Sequence, residues 1–427
     1  MFRRLLGATP FGSSPIPGYL TLCTGVVLIG IGVSVVRPYL SLFGTDVIHM
    51  NPAQLGIFMC LNALGGIVFS TWMGKMSDAR TPKKDIMLVA AACSGLGYLS
   101  FLVFHNYLVL LVVSTLLLGL GAAAFPQLFA YAREATSGLG DATMAISTLR
   151  SFFSLAWVIG PLLGAWVLAA LGYNGLFIFT AIVFVFVFFL ILLRLRRRPS
   201  AGIRKSDGVG LFGHLRRPDL LTSFLGSVAA NIAISMNGTY MPLFLTRTLG
   251  APSHDVGFVF SLSAGLEIPI MLGLGTVANR VGKRILMMVG SICGTLYYLG
   301  AAFAHAPWEM LVLQLLCATF ISIYVSIGMS YFQDFMPDSP GSATTLFSNT
   351  GSIGSLVGSL LGGAIAQAIS FRSVYWFCAA LGFLSFVFLI RRRGFISQAT
   401  LNSSAPTQNR DGGSTRAPGN VEGGETV

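Results

Sequence analysis

Read for polarity, the chain is a series of apolar stretches separated by short polar or charged punctuation. Each stretch runs to about 20 residues or more, the length that crosses a bilayer as a helix. Twelve such spans lie at roughly 18–43, 54–74, 86–104, 107–130, 143–171 and 173–193, and then at 220–245, 255–276, 285–303, 308–331, 343–368 and 372–390. In hydrocarbon a helix satisfies its backbone groups within one segment, so every span is expected to be helical. The expected fold class is an all-α polytopic membrane protein with twelve transmembrane helices.

The punctuation divides the chain. Residues 1–17 form a polar N-terminal segment and 18–193 the first six spans. Residues 194–218 form a basic linker, 219–392 the second six spans, and 393–427 a tail rich in Ser, Gly, Thr and Asn. The tail cannot bury a core and is expected to be disordered. The two sets of six spans repeat. "GKMSDARTPKK" begins at Gly74 and "GTVANRVGKR" at Gly275, an offset of 201. "GDAT" at 140–143 and "GSAT" at 341–344 share that offset, as do Gly56 and Gly257. Two pseudo-symmetric six-helix halves, related by an axis along the membrane normal, are therefore expected.

Composition agrees with this pattern. Of 427 residues, 54% are hydrophobic and 10% charged, against about 25% charged in soluble domains. No separate catalytic domain is visible, so an enzyme is not expected. The net charge of +12 does not point to nucleic acid, because the bases fall between spans instead of forming one face. The terminal segments, the central linker and the loops after spans 2, 4 and 8 hold 23 of the 27 basic residues. Arg247 and Arg372 lie on the other side, and Arg37 and Arg150 within spans. The positive-inside rule then places both termini in the cytoplasm. The first span has no small-residue cleavage site and reads as retained. The six cysteines, Cys23, Cys60, Cys93, Cys293, Cys317 and Cys378, sit in apolar segments without CxxC spacing. They read as packing residues, and with histidines only in loops or at span edges no metal site is expected.

Three features carry candidate chemistry. The first is the loop after span 2. Gly74 is read as the turn that closes the span, with Asp78 flanked by Lys75, Arg80, Lys83 and Lys84. Such an acid can pair with a base or cap a neighbouring helix, making a latch that breaks and reforms as two halves rock. A plain solvated basic loop is the alternative. Recurrence at Gly275, Asn279, Arg280, Gly282, Lys283 and Arg284 favours a hinge of the fold. The second feature is Gly160–Pro161 with Gly164 in span 5, where proline kinks the helix and the glycines admit another helix.

The loop pattern resembles that of the major facilitator superfamily, Gly–x–x–x–Asp–basic–x–Gly–basic–basic between spans 2 and 3, and the likeness covers about 18–392. This copy departs from it in Ala79 and Thr81–Pro82, and the second copy has Asn279 for the acid. The resemblance implies that superfamily's fold, a Gly–Pro element typical of exporters, and a cavity lined by spans 1, 4, 7 and 10. Four stretches narrow it: "YAREA" (131–135), "LRSFFSLAWVIGPLL" (149–163), "AGLEIPIMLG" (264–273) and "YFQDFMPDSPGSATTLFSN" (331–349). They are similar to the bacterial sugar efflux transporter family. That likeness implies proton-driven export of small sugars and glycosides such as lactose, glucose and thiogalactosides.

The third feature is intramembrane polarity. Glu267 lies mid-span with no base in its own span. A charge at that depth costs about 2.5–3.5 kcal/mol on insertion scales, which holding a proton avoids. Three roles stay open: proton coupling, binding a sugar hydroxyl, or a structural ion pair. Arg150 in span 5 is its candidate partner across the halves, with snorkelling to the interface as the alternative. Arg37 either snorkels outward or lines the cavity. Cavity polarity for a sugar would come from Gln127, Asn231, Asn237, Tyr240, Gln314 and Tyr324, with Asn62 and Asn349 as further candidates and Trp157 as a stacking surface. For each of these, helix packing competes with ligand contact. The expected protein is a monomeric, multi-pass carrier of the bacterial inner membrane, needing no cofactor beyond the proton gradient. Its partners are a sugar or glycoside, protons and lipid. Export of a drug or another small metabolite is the alternative.

Overall fold

A computed structural model describes residues 19–79, 81–136, 142–197, 218–337 and 339–390. Among these every regular element is helical. Eleven helices are long and apolar enough to cross a membrane. One of them, Ala142–Arg194, is broken at Gly172, whose φ of 66° lies in the left-handed region. Its two limbs are spans 5 and 6, so the twelve-span pattern holds. The N-terminal segment 1–17, the tail 393–427, the stretch "GDAT" at its Gly and Asp, and most of the linker lie outside the described residues.

The helices overrun the apolar cores that announced them. Span 2 is Pro52–Ala79, span 8 Ser253–Val281 and span 11 Pro340–Ala368. Proline fits the first turn of a helix, where its missing N–H is no loss. Polar ends continue the helix because the backbone still gains its own hydrogen bonds in the interfacial layer. Two spans are interrupted where the halves correspond. Span 4 is Tyr107–Gly121 then Ala124–Thr136, and span 10 is Pro307–Ser326 then Gly328–Phe335. Span 1 tightens into a 3₁₀ turn at Arg37–Tyr39 around Pro38.

The overrun corrects one reading. Gly74 does not turn the chain at the end of span 2, and Gly275 and Arg280 do not lie in a loop. All three are inside helices. The left-handed position is Gly282, φ 89°, between spans 8 and 9. The corresponding place in the first half is taken by Pro82.

The two halves fill their interiors differently. In the first, Phe43, Phe101 and Phe177 pack ring on ring with centroids 4.7–5.5 Å apart. In the second, hydroxyls are threaded through the core. Tyr324, Ser291 and Ser385 form a closed triangle of hydrogen bonds of 2.7–3.1 Å, and the Tyr297 hydroxyl donates to Asn237 Oδ1 at 3.0 Å.

Candidate functional site

The seam between the halves is built from pseudo-equivalent residues. Tyr39 of span 1 and Tyr240 of span 7, 201 positions apart, are both fully buried. Each donates its hydroxyl to a main-chain carbonyl of its own half at 2.9 Å, Tyr39 to Pro161 of span 5 and Tyr240 to Ser359 of span 11. Each tyrosine then faces a glycine of the other half. A Cβ on Gly56 would stand 3.0 Å from the Tyr240 hydroxyl and 2.6 Å from the Ser359 carbonyl. A Cβ on Gly257 would run into the Tyr39 hydroxyl and stand 2.5 Å from the Pro161 carbonyl. The side chain that is absent is what lets the halves touch. Gly160 and Gly164 let span 5 close on Ser34, Val35 and Tyr39 of span 1, within the first half.

The seam does not continue along the helices. Gly74 follows Gly56 by 18 residues, and Gly275 follows Gly257 by the same number. Eighteen residues are five full turns, so each pair lies on one helix face about 27 Å apart. Around Gly74 and Gly275 no atom lies within 4 Å of a Cβ position. The halves therefore touch toward the end away from the basic loops, and no such contact is made at Gly74 and Gly275, nearer the loops.

Glu267 lies between these two levels, about 15 Å along span 8 from Gly257. It is half-buried. Ser263, one turn earlier, donates to its Oε1 at 3.4 Å, and Ser322 of span 10 donates to its main-chain carbonyl at 3.3 Å. Cys317 of span 10 lies nearby. Among the described residues no cation pairs with Glu267, and Arg150 is exposed without an ion pair. The expected Glu267–Arg150 bridge is therefore not formed in this structure. Arg37 is exposed yet lies deep in the protein beside Tyr98.

The other sequence-derived candidates divide. Trp157, Asn231 and Asn349 are half-buried. Trp157 meets Phe153 edge-on with centroids 6.4 Å apart. The Asn231 amide donates to the Ser227 carbonyl and Thr350 Oγ1. Asn62 donates to the Phe58 carbonyl and Ser114, while its Oδ1 is buried without a partner. Gln127 is buried with Oε1 unpartnered. Asn237, Tyr240, Gln314 and Tyr324 do not line an open space. They are buried and committed to partners of the second half, Gln314 through the Met310 carbonyl. Spacing could not separate them from cavity residues, because a polar group in a span needs a partner whether or not a ligand supplies it.

The loop motif acts inside each half. Lys83 is buried and pairs with Glu134 of span 4 at 2.5 Å, and Lys283 pairs with Asp334 of span 10 at 2.7 Å. Lys84 donates to the Leu192 and Leu195 carbonyls at the end of span 6, and Arg284 to those of Leu389 and Ile390 at the end of span 12. Cations are favourable at helix C-termini. Asp78 and Arg280 are exposed, Asp78 has no ion pair among the described residues, and Arg80 lies outside them.

Sequence reasoning missed the residues around Glu267 (Ser263, Cys317 and Ser322) and the cross-half pairing of Asp46 with Arg247. The repeat held the signal for the second, since Asp46 and Arg247 are 201 apart. A groove of about 580 Å³ lies elsewhere. It is an apolar channel lined by Leu245, Phe258, Leu262 and Trp308, with Trp308 and Phe258 on the outer surface, and it suits a lipid chain.

The pattern of the Major Facilitator Superfamily matches residues 22–244 and again 223–408. The chain is 36% identical over 366 residues to a protein named sugar efflux transporter B of Salmonella typhimurium, covering 83% of this chain and 90% of that one. It is 35% identical over 358 residues to sugar efflux transporter A of Dickeya chrysanthemi, with 83% and 90% covered. These relatives are named as transporters, not enzymes. Among solved structures, a crystal structure of the nucleoside transporter NupG superposes with a TM-score of 0.78 at 13% identity, covering 88% of this chain and 99% of that one. That likeness speaks to the fold.

Proposed function

The chain belongs to the Major Facilitator Superfamily, in its sugar efflux transporter family, and from that premise we propose that it exports small sugars or glycosides in exchange for protons. The observation that carries the reading is the pair of glycine rows, packed at Gly56 and Gly257 and free at Gly74 and Gly275. A carrier works by exposing one site to each side in turn, and a seam closed at one end only is one of its two end states. The open end bears the basic loops, so in the bacterial inner membrane it faces the cytoplasm, where an exporter loads.

Glu267 is the proposed coupling residue. Ionised, it accepts hydrogen bonds from sugar hydroxyls in the open cavity. Protonated from the outside after the seam inverts, it loses one acceptor site and its charge, and the sugar leaves. Deprotonation toward the cytoplasm resets it. Competition between proton and sugar for one carboxylate enforces exchange. Trp157 offers a stacking face, and Arg37, Asn231 and Asn349 offer hydrogen-bonding groups.

The test is flux in everted membrane vesicles with labelled lactose, glucose and a thiogalactoside, with and without an imposed pH gradient. Accumulation is expected to need the gradient, and Glu267→Gln to abolish uphill transport. Accumulation that survives complete collapse of the gradient overturns proton exchange.

A further inference from the structure

Asp46 and Arg247 occupy equivalent positions of the two halves, 201 residues apart. The pseudo-twofold axis therefore passes between them, and Arg247 Nη2 meets Asp46 Oδ1 across it. We propose that this pair is an electrostatic lock at the closed end of the seam, biasing the resting carrier toward the form open at the basic loops. The proposal rests on the alternating-access reading above.

Three observations carry it. First, position: the pair lies beyond the Tyr39–Gly257 and Tyr240–Gly56 contacts, where span 1 ends at Asp46 and span 7 ends in the π-turn Phe244–Thr248. When halves related by a twofold along the membrane normal tilt away from that axis, equivalent positions on either side of it move in opposite directions, so an opening at this end draws the pair apart. Second, reversibility: Tyr173, of the same half as Asp46, donates to Asp46 Oδ2 at 2.9 Å. Asp46 keeps that bond when Arg247 leaves. The Arg247 side chain is already 55% exposed, so separation strands neither charge away from water. Third, asymmetry: at the loop end the ion-paired motif lysines are spent within their own halves, Lys83 on Glu134 and Lys283 on Asp334. In this form the charges of the loop motif hold each half together, whereas those of the closed end hold the two halves to each other.

The same geometry explains why Arg247 stands against the positive-inside pattern. A base on the sparsely charged side of the membrane is placed there for Asp46, not for topology.

The experiment uses the full chain in liposomes, with spin labels on p-acetylphenylalanine placed at Asn51 and His254, both exposed at the closed end. Asp46→Asn and Arg247→Ala are each expected to raise the long-distance, open population by roughly two- to five-fold, the scale of a half-exposed ion pair. The swapped variant Asp46→Arg with Arg247→Asp is expected to return it to the wild-type value. Single variants with an unchanged distance distribution, or a swap that is no better than the singles, overturn the lock. A disulfide between Asp46→Cys and Arg247→Cys separates the two ideas. Flux that stops on oxidation and returns on reduction is expected. Flux that persists in the cross-linked protein overturns alternating access itself, and the lock with it.

Discussion

Gly257 and Gly275 lie on one face of one helix, five turns apart, and have opposite surroundings. The first is pressed against Tyr39, Pro161 and Ala165 of the other half, and the second has no neighbour within 4 Å. Gly56 and Gly74 repeat the contrast on span 2. A small residue on a helix face permits close approach without requiring it. In a carrier the same permission at both ends is used alternately, and the conformation decides which glycine is in contact.

The largest effect should come from filling the packed end. Gly257→Leu puts a side chain against the Pro161 carbonyl, which cannot move without unwinding span 5. The cost should exceed the about 1–3 kcal/mol of ordinary overpacking. Vesicle flux is expected to fall to background, with the spin-label distances at 51 and 254 moved to the open population. A variant that transports normally would show that this contact is dispensable.

The clips within each half should come next, and unequally. Lys83 is 6% exposed and Glu134 26%, whereas Lys283 and Asp334 are 29% and 58% exposed. Lys83→Met breaks the more buried pair and is expected to cost about 2–3 kcal/mol, somewhat below the fully buried case. Lys283→Met should cost at most about 1 kcal/mol. Thermal unfolding in detergent measures both, and equal losses would erase the distinction between the halves.

Tyr324→Phe opens the hydroxyl triangle with Ser291 and Ser385. The two serines retain each other at 3.1 Å, which limits the loss to about 1 kcal/mol. The smallest effect is expected at the free end. Gly275→Ala meets nothing in this form and removes a flexible residue from a helix, a gain of about 0.5–1 kcal/mol. A slightly raised unfolding temperature with slower flux would mean that position 275 packs in the alternate form. A lowered one would contradict the open end.

Much of this was legible before any coordinates. Polarity marks where the chain crosses, and the 201-residue offset already pairs Gly56 with Gly257. Glu267 stands out because an acid at membrane depth is expensive wherever it points. Other inferences failed for identifiable reasons. Gly74 and Gly275 looked like turn glycines, but helices run past their apolar cores. For Tyr240, Asn237, Gln314 and Tyr324 the linear pattern left helix packing and ligand contact equally open. A span's polar side chain shows only that it needs a partner, and here the partners are on neighbouring helices. Arg150 and Glu267 are the two opposite charges of spans 5 and 8, yet in this conformation they do not meet.

What the sequence determined by itself is what depends on one segment at a time: which stretches enter the membrane, which side carries the bases, and that the two halves are copies. Transfer free energies are nearly additive along a chain, so they can be read in order. What only the tertiary structure decided is which faces meet: Asp46 with Arg247, Lys83 with Glu134, Ser322 with Glu267, and a seam closed at one end. Those depend on the rotation and tilt of each helix about its own axis, set by packing among residues far apart in the chain, and on the conformational state, which one linear pattern leaves open.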